Sequence, residues 1–539
     1  MILLSKNNSF IKGAAILSIA GIIVKILGAI YRIPLANIIK DEGMGYYQTA
    51  YPFYVLLLTI STSGFPVAIA KLVSEKRALG DHRSAYRVFK VALTGLTIGG
   101  LLSSLFVLFM AEDIVRSIDN INAYYSLVAL VPALFFVPIM AAFRGFFQGR
   151  KNMVPTALSQ IGEQFLRVVV GLSLTYYLLD RGIPVAAGGA SFGGSAGAIL
   201  GTVIIFIIFL LHKESIEREV RQTRIQTDYS VGEIIKDLLT IAVPITIGAA
   251  IIPTMDTIDA GLVIRRLQSI GYSKETANEL YGQLKGFAQT LINLPQVFSV
   301  AIGMSLVPAI ADANARRNKR EIRQIIGSGI RMTLLIGLPC AFGLFVLAKP
   351  IINLLYFKNT IETINSSGEI LAYLSFGVIF LTLVQALTAM LQGLGKPLIP
   401  VINLFIGALL KIILTYILTA IPGINIKGAA ISTVVAYATA AILDLILLSK
   451  VAKIKFNYRD IFIKPLISAL GMAIIVRFSY GFLLKIIGGR LSTILSIGIG
   501  GLAYVILLIV TGTITEEDIK FIPKGERLGR YLDKFKLLK

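Results

Sequence analysis

The sequence is poor in charge and in the residue types that usually build catalytic and metal sites. Only 15% of its 539 residues are charged, and it contains one cysteine, two histidines and no tryptophan. The single cysteine, Cys340, excludes an intramolecular disulfide and a cysteine metal cluster. His82 and His212 lie far apart in charged segments, which argues against histidine catalysis. Because a soluble domain carries about 25% charged residues, this composition excludes a soluble enzyme, an extracellular module and a disordered chain.

Long apolar runs dominate the rest of the chain, and 55% of its residues are apolar. Because a membrane helix needs about 20 apolar residues, we expect an all-α polytopic membrane protein with about 14 transmembrane helices. The first apolar run is too long for a signal-peptide core and lacks a cleavage site of small residues. The predicted spans are 10–36, 47–72, 86–110, 121–143, 155–179, 185–211, 236–262, 284–311, 325–348, 368–391, 398–421, 427–449, 461–487 and 490–512.

The net charge of +22 is concentrated in alternate loops and in the C-terminal tail. The positive-inside rule then places both termini in the cytoplasm. The excess charge also favours contact with anionic membrane lipids, and we do not expect nucleic acid as a partner. The basic residues are Lys76, Arg77, Arg83 and Arg87; Arg144, Arg150 and Lys151; Lys213, Arg218, Arg221 and Arg224; Arg316, Arg317, Lys319, Arg320 and Arg323; Lys450, Lys453, Lys455 and Arg459; and those of 520–539.

Three pairs of similar segments indicate an internal repeat. Gln148-Gly149 matches Gln392-Gly393, 66–71 matches 308–312, and 197–203 matches 428–434, in the same order. The alternative is chance similarity between apolar segments. Parallel repeats are a transporter architecture with the substrate path between the halves. The predicted domains are two six-helix lobes at 1–225 and 230–450, an extra helix pair at 455–512 and a basic cytoplasmic tail at 513–539.

The sixth span carries four glycines at four-residue spacing. Such a stripe lets a neighbouring helix approach closely. Close packing is therefore the expected role, and a hinge is the alternative. The glycines are Gly189, Gly193, Gly197 and Gly201.

Basic residues lie inside the first and fifth spans, where a charge is costly. Lys25 and Arg32 are seven residues apart and therefore share one helix face. Charges in the hydrocarbon region usually face a wet cavity or a partner, although these two could also snorkel to the interface. Glu163 and Arg167, at i and i+4, can pair, and a purely structural bridge is the alternative reading.

Two adjacent acids in the seventh span are candidates for ion coupling. Asp256 and Asp259, at i and i+3, share one face. Two buried carboxylates repel each other unless a proton or a cation joins them. Lys285 and Lys411 also lie at or inside spans, and Asn403 precedes Lys411 by about two helical turns.

The sequence carries no recognisable catalytic or nucleotide-binding motif. We find no metal-ligand cluster, glycine-rich phosphate loop or nucleophile elbow, so we expect no enzyme activity and no cofactor. Without an ATP-binding motif, transport would be passive or driven by an ion gradient or the membrane potential. A cation-coupled drug exporter, a membrane glycosyltransferase and a scaffold are the competing readings.

Three motifs resemble the polysaccharide-transporter branch of the multidrug/oligosaccharidyl-lipid/polysaccharide exporter superfamily. They are Leu27-Gly28 with Tyr31-Arg32, the run from Gly64 to Ser74, and the run from Arg144 to Gly149 before Pro155. Within this branch the chain is similar to lipid II flippases of the MurJ/MviN type and to the stage V sporulation protein B group. The resemblance covers nearly the whole chain, including the two extra C-terminal helices.

The resemblance implies a V-shaped, two-lobed and monomeric flippase of the bacterial cytoplasmic membrane. It would translocate an undecaprenyl-pyrophosphate-linked peptidoglycan precursor for cell-wall biogenesis and cell shape, in vegetative growth or sporulation. A flippase for another polyprenyl-linked oligosaccharide is the alternative. The cavity cations would hold the pyrophosphate, and the extra helix pair would form a groove for the lipid tail.

The same resemblance assigns roles to particular residues. Lys25 and Arg32 fall at the first-helix basic positions. Basic residues that some members carry in the second and eighth helices are replaced near Leu56, Leu57 and Thr290, and Arg167 or Lys285 would compensate. Asp259, Asn403 and Thr433 match a sodium site of some members, although Gly407 stands where an acid is expected. Na+ and H+ both remain open as coupling ions.

Overall fold

The computed structural model describes residues 2–223, 229–453 and 457–513. Within these residues all regular structure is helical, as the apolar runs predict. Arg224, Lys455 and, apart from Thr513, the predicted basic tail lie outside the described residues.

The chain divides into two compact units, residues 1–282 and 283–539. The helices of the first unit are α1 (Ile2–Ile38), α2 (Lys40–Thr62), α3 (Phe65–Ala78), α4 (His82–Ser117), α5 (Tyr124–Ala129), α6 (Val131–Gly149), α7 (Val154–Leu178), α8 (Ile183–Arg221), α9 (Val231–Gln268) and α10 (Lys274–Gly282), with short 3₁₀ turns at Ile121–Ala123 and Leu179–Arg181.

The second unit begins with a π-helical segment. Its helices are α11 (Gln289–Ile292), α12 (Gln296–Ala315), α13 (Lys319–Val346), α14 (Ala348–Leu355), α15 (Ile361–Ser375), α16 (Gly377–Gly393), α17 (Leu398–Leu418), α18 (Ile426–Ala452), α19 (Lys464–Ile487) and α20 (Gly489–Val510), with π-helical segments at Gln283–Ala288 and Arg459–Ile463.

Twelve helical stretches of the described chain are long and apolar enough to cross a membrane. The bent pair α15–α16, with 42° between its two helices, makes a thirteenth. The predicted fifth span exists as α7, which is 25 residues long, but it does not belong to this set. Its polar residues, Glu163 and Arg167 among them, interrupt its apolar sequence. The chain is therefore a multi-span membrane protein.

The first unit includes α9, which the repeat-based prediction assigns to the second half. Gly64, between α2 and α3, allows α9 to pack closely, because a Cβ atom there would lie 2.1 Å from the carbonyl oxygen of Ala242. The Gly64 amide also donates to Thr246 Oγ1 at 3.2 Å. A division of the chain by sequence repeat and a division by packing need not fall at the same residue. The lobe boundaries inferred from the repeat therefore stay a prediction.

An aromatic cluster forms much of the first unit's core. Phe89 of α4 stacks on Phe146 of α6 with 4.4 Å between ring centroids. Phe143 of α6 and Phe209 of α8 pack against the same ring at 5.2 and 5.5 Å. Because helices in a membrane associate through close packing rather than through the hydrophobic effect, the interlocking rings of this cluster hold α4, α6 and α8 together beside the polar site described next.

Candidate substrate- and ion-binding sites

Helix α1 carries the two predicted first-span cations in different environments. Lys25 is exposed and Arg32 is half-buried. The Arg32 guanidinium makes no hydrogen bond or ion pair within the described residues. Its neighbour Tyr31 is buried, and the Tyr31 hydroxyl donates to the carbonyl oxygen of Ala190 in α8 at 2.7 Å. This bond fixes α1 against α8 and thereby sets the direction from which Arg32 projects.

Glu163 of α7 binds two arginines. Its Oε2 lies 3.1 Å from Nη2 of Arg144, and its Oε1 lies 3.6 Å from Nη2 of Arg167. The three side chains are only 15–18% exposed. Arg144 Nε also donates to Ser159 Oγ at 2.9 Å. One carboxylate therefore faces two guanidinium groups, and the cluster keeps a surplus positive charge.

The predicted pair of Glu163 and Arg167 is thus present, and Arg144 is the residue that the sequence analysis misplaced. It was expected in a cytoplasmic loop, but α6 continues to Gly149. Arg144 therefore lies on a helix that packs beside α7. The sequence feature that could have identified Arg144 as a partner was Glu163. Its carboxylate has two oxygens, and the pair with Arg167 uses only one of them.

Three tyrosines of α2 form a row of neighbouring rings beside Arg167. Tyr47 stacks on Tyr51 with 5.4 Å between ring centroids, and Tyr51 lies 5.9 Å from Tyr54. Tyr51 accepts a long hydrogen bond of 3.5 Å from Arg167 Nη1. Arg167 therefore meets the row of tyrosines on α2 at Tyr51.

The glycine stripe of α8 sets the position of α7. A Cβ atom at Gly197 would lie 2.3 Å from the carbonyl oxygen of Glu163, and one at Gly193 would lie 2.6 Å from that of Arg167. Close packing is therefore observed at the helical turns that carry the charged pair. The backbone contact determines where Glu163 and Arg167 are presented.

The predicted acid pair lies on α9. Asp259 is buried and Asp256 is half-buried. Pro253 lies within α9, one turn before Asp256. Across the described residues no group of three or more His, Cys, Asp or Glu residues is arranged to hold a metal ion. A proton or cation at Asp256 and Asp259 stays a prediction.

In the second unit, Asn403 of α17 is paired with an acid that the sequence analysis did not select. Its Nδ2 donates to Oδ1 of Asp444 in α18 at 2.7 Å. Thr433, the other predicted member, donates to the carbonyl oxygen of Ala429 at 2.9 Å within its own helix. An acid inside the apolar span 427–449 was the signal that could have identified Asp444.

The missing acid at Gly407 has a packing explanation. A Cβ atom at this position would lie 2.6 Å from the carbonyl oxygen of Ala436. Helices α17 and α18 therefore meet backbone to backbone here, and no carboxylate side chain fits.

Two buried lysines belong to the second unit. Lys285 lies in the π-helical segment Gln283–Ala288, and π-helical turns often occur at functional sites. This segment is held by Phe287, whose ring stacks on Tyr356 with 4.4 Å between centroids. Lys411 is buried on α17. Lys285 therefore occupies a fixed position inside its unit.

A cavity of about 540 Å³ opens between α13 and α19. Phe345, Ile474 and Phe478 line it, together with Arg477. Helices α19 and α20 form a hairpin, in which a Cβ atom at Gly500 would lie 2.5 Å from Val476. The Tyr504 hydroxyl donates to the carbonyl oxygen of Leu335 in α13 at 3.0 Å. Helix α19 of the extra pair thus forms one wall of an apolar cavity that also contains a cationic group.

Comparison with known proteins identifies the family. Residues 10–314 match the family described as polysaccharide biosynthesis protein, and residues 285–417 match the family described as MatE. Membrane protein YabM of Bacillus subtilis is 31% identical, over 97% of this chain and 96% of that protein. Stage V sporulation protein B of the same organism is 30% identical, over 97% of this chain and 99% of that protein. Its lipid II flippase MurJ is 26% identical, over 92% and 94%.

Solved structures share the fold. An inward-closed structure of the lipid II flippase MurJ has a TM-score of 0.69 at 17% identity, over 92% of this chain and 98% of that one. An inward-facing multidrug-resistance MATE transporter of the MOP superfamily has a TM-score of 0.65 at 15% identity, over 80% and 99%. The MurJ and MATE homologues are transporters and not enzymes. This chain therefore belongs to the polysaccharide biosynthesis protein family, and it is homologous to stage V sporulation protein B and to MurJ of Bacillus subtilis.

Proposed function

We propose that this protein is a flippase that moves undecaprenyl-pyrophosphate-linked peptidoglycan precursor, lipid II, across the cytoplasmic membrane by alternating access. The observation that carries the proposal is the surplus positive charge of the first unit. Glu163 neutralises one of its two arginines, and Arg32 has no acidic partner within the described residues. An anionic headgroup would supply the missing negative charge.

The chemistry of the two arginines suits a pyrophosphate. A guanidinium forms two parallel hydrogen bonds to a phosphate, and such charge-assisted bonds are the strong ones. Arg167 Nε has no hydrogen-bond partner among the described residues, so a donor is available beside the tyrosines. Lys25 and Lys285 are the further proposed contacts. A drug exporter that exchanges cations would instead favour acidic groups in the cavity.

The cavity between α13 and α19 suits the lipid part of the substrate. Its lining is mainly apolar, and Arg477 adds one positive charge. A polyprenyl chain gains about 0.8 kcal/mol for each buried CH₂ relative to water, but in a membrane it exchanges lipid contacts for protein contacts. The cavity would therefore orient the tail more than it would add affinity.

The proposal includes fourteen transmembrane spans and two cytoplasmic termini. Counting α7 with the thirteen apolar spans gives fourteen. The alternating basic loops then lie in the cytoplasm. Transport would be driven by an ion gradient or by the membrane potential, which is worth about 2.3 kcal/mol per charge at 100 mV. The protein would act as a monomer in contact with anionic lipids.

The decisive experiment is complementation of a bacterium depleted of its lipid II flippase, with lipid II exposure outside as the measurement. We expect wild-type protein to restore exposure and growth. Purified protein in liposomes would then be given lipid II and, separately, an undecaprenyl pyrophosphate carrying a different glycan. Transport of the second lipid alone would favour another polyprenyl-linked oligosaccharide. Transport of neither lipid would contradict the proposal.

A further inference from the structure

A groove of about 610 Å³ lies between α4 and α9 of the first unit. Its apolar lining includes Ile98 of α4 and Ile235 and Leu239 of α9, whose side chains are exposed. Gly99 of α4 also lines it, and a Cβ atom at this glycine would have no other atom within 4 Å. The polar residues of the lining are Ser61, Lys90, Thr94 and Ser103. This α4–α9 groove is therefore an open, mainly apolar recess that also contains a lysine.

The charges of α4 show where the groove lies in the membrane. Residues 91–111 carry no charged side chain, and Lys90 and Glu112 stand at the two ends of this run. At 1.5 Å per residue the run is about 31 Å long, which matches the thickness of the hydrocarbon core. The α4 residues of the groove extend from Lys90 to Ser103. The groove therefore begins at one membrane interface and ends near the middle of the bilayer.

Positive charge collects at the interfacial end of the groove. Lys90 is exposed, and its Nζ lies 4.8 Å from the centre of the Tyr86 ring. Arg87 and Arg83 are also exposed and precede Lys90 by three and seven residues, so the three cations share one side of α4. Within the part of the chain that the structure describes, none of the three forms an ion pair.

The acids at the start of α9 reduce this positive charge without cancelling it. Glu233 forms a capping box with Ser230, and Asp237 accepts a hydrogen bond of 2.6 Å from the Tyr229 hydroxyl. Lys236, which lies between the two acids in sequence, is exposed. Together with the three cations of α4, Lys236 leaves basic groups in the majority at this end, which therefore favours an anion.

The length of the groove favours a phospholipid as its occupant. Its α4 part rises about 20 Å, little more than the hydrocarbon of one leaflet, which is about 15 Å thick. A phospholipid acyl chain fills one leaflet. An undecaprenyl chain is longer than a leaflet, and a transmembrane helix of a partner protein crosses both leaflets.

The headgroup decides which phospholipid is preferred. An acyl chain that enters the groove only exchanges contacts with other lipid tails for contacts with protein, so the chain adds little selectivity. Basic pockets between transmembrane helices bind anionic lipid headgroups. A lipid phosphate at the level of Lys90 would meet exposed cations of α4, and a headgroup with net negative charge would bind more tightly than a zwitterionic one.

We propose that the α4–α9 groove is a binding site for an anionic phospholipid, with one acyl chain along α4 and the headgroup beside Lys90 and Arg87. The basic loops place this end of α4 in the cytoplasm under the proposed topology, so the lipid belongs to the cytoplasmic leaflet. The site goes beyond the proposed function, because it does not depend on which lipid-linked oligosaccharide the protein moves.

Native mass spectrometry of the full-length protein, delipidated in detergent, tests the headgroup preference. The probes are phosphatidylglycerol and phosphatidylcholine with identical acyl chains. We expect phosphatidylglycerol to bind more tightly, and Lys90→Gln to weaken its binding about fivefold, as the loss of one basic group near an anionic headgroup predicts. Lys90→Arg should retain the binding. Lys450→Gln, at an exposed lysine near the end of α18, is the matched control and should leave it unchanged.

A second variant tests the apolar part of the groove. Gly99→Leu places a side chain where the groove is open, so it should weaken the binding of both phospholipids. Gly498→Leu is the matched control, because Gly498 of α20 is exposed and an added Cβ atom there also has no neighbour within 4 Å. Phosphatidylglycerol should raise the melting temperature of the wild type and of Gly498→Leu more than that of Gly99→Leu, since only a bound ligand stabilises the folded state.

Three results would overturn the proposal. Equal affinity for the two phospholipids would identify ordinary surrounding lipid. Displacement of bound phosphatidylglycerol by an equal concentration of undecaprenyl phosphate would assign the groove to a polyprenyl chain. Lipid binding that neither Lys90→Gln nor Gly99→Leu changes would place the lipid elsewhere and leave the groove to a protein partner.

The binding measurement is independent of transport. Selective phosphatidylglycerol binding at Lys90 and Gly99, combined with failure to transport lipid II, would retain the phospholipid site and refute the proposed substrate. Lipid II transport by a protein without this selective binding would retain the flippase and refute the phospholipid site.

Discussion

Arg144 of α6 and Glu163 of α7 form an ion pair with 3.1 Å between Nη2 and Oε2. Since Glu163 also faces Arg167, this one carboxylate links two helices and leaves one positive charge uncompensated. The pair therefore has two consequences: it stabilises the packing of α6 on α7, and it keeps the cluster attractive to an anion.

The first prediction concerns Glu163. Glu163→Gln leaves two mostly buried arginines facing a neutral amide, and we expect it to lower the free energy of unfolding by about 3 kcal/mol, the lower end for breaking a buried pair. Thermal unfolding in detergent measures this. The double variant Glu163→Gln/Arg144→Gln should lose less unfolding free energy than the sum of the losses of the two single variants. Strict additivity of the losses would show that the Arg144–Glu163 pair contributes nothing to stability.

The second prediction concerns the substrate cation Arg32. A charge-assisted hydrogen bond is worth about 1.5–3 kcal/mol, so Arg32→Ala should weaken lipid II binding about tenfold or more. Arg32→Lys should weaken lipid II binding less than Arg32→Ala does, because lysine keeps the positive charge although it cannot form the bidentate hydrogen bonds. Binding to purified protein and flipping at equal membrane abundance are the measurements. Arg221→Ala, at an exposed arginine of α8, is the control. Wild-type binding and flipping by Arg32→Ala would make Arg32 a snorkelling residue.

The third prediction concerns the glycine stripe. Gly197→Ala places a Cβ atom 2.3 Å from the carbonyl oxygen of Glu163, and the resulting overpacking should cost about 1–3 kcal/mol. Gly95→Ala in α4 is the matched control, since nothing lies within 4 Å of its added atom. Gly95→Ala should raise the melting temperature slightly, because alanine has a higher helix propensity than glycine. Equal melting temperatures of the two variants would refute the packing role.

The fourth prediction concerns orientation. In a Cys340→Ala background, Leu79→Cys should react with an impermeant thiol reagent only from the cytoplasm, and Ile121→Cys only from outside. Both side chains are exposed, so access does not limit labelling. The opposite sidedness would invalidate the assignment from the basic loops.

The fifth prediction concerns pH. Burial raises the pKa of the Glu279 carboxyl in α10, and the neighbouring acids Asp41 and Glu42 raise it further. The folded state therefore holds this proton more tightly than the unfolded state. The resulting stabilisation is fully present below the unfolded pKa and is lost as pH rises through the folded pKa. Glu279→Gln should thus melt at a higher temperature than wild type at neutral pH and at the same temperature in acid.

The contrast between α7 and α8 shows how far sequence patterns reach. The glycine stripe of α8 is a local pattern, so close helix packing could be inferred before the structure was known. The Glu163–Arg167 pair was equally accessible, because i and i+4 residues meet on any helix. The contact of Arg144 with Glu163 could not be inferred from the sequence, since no spacing rule relates residues of two different helices.

Composition and short-range periodicity determined the membrane class, the helical spans, the absence of an obvious catalytic motif and the intrahelical pair, because each depends on residues within a few turns of one helix. Only the tertiary structure decided which long-range partners meet. It brought Asp444 to Asn403, Arg144 to Glu163 and Tyr51 to Arg167. The physical reason is that interhelical contacts depend on helix rotation and crossing, which close backbone packing at Gly193, Gly197 and Gly407 sets and which a linear pattern does not encode.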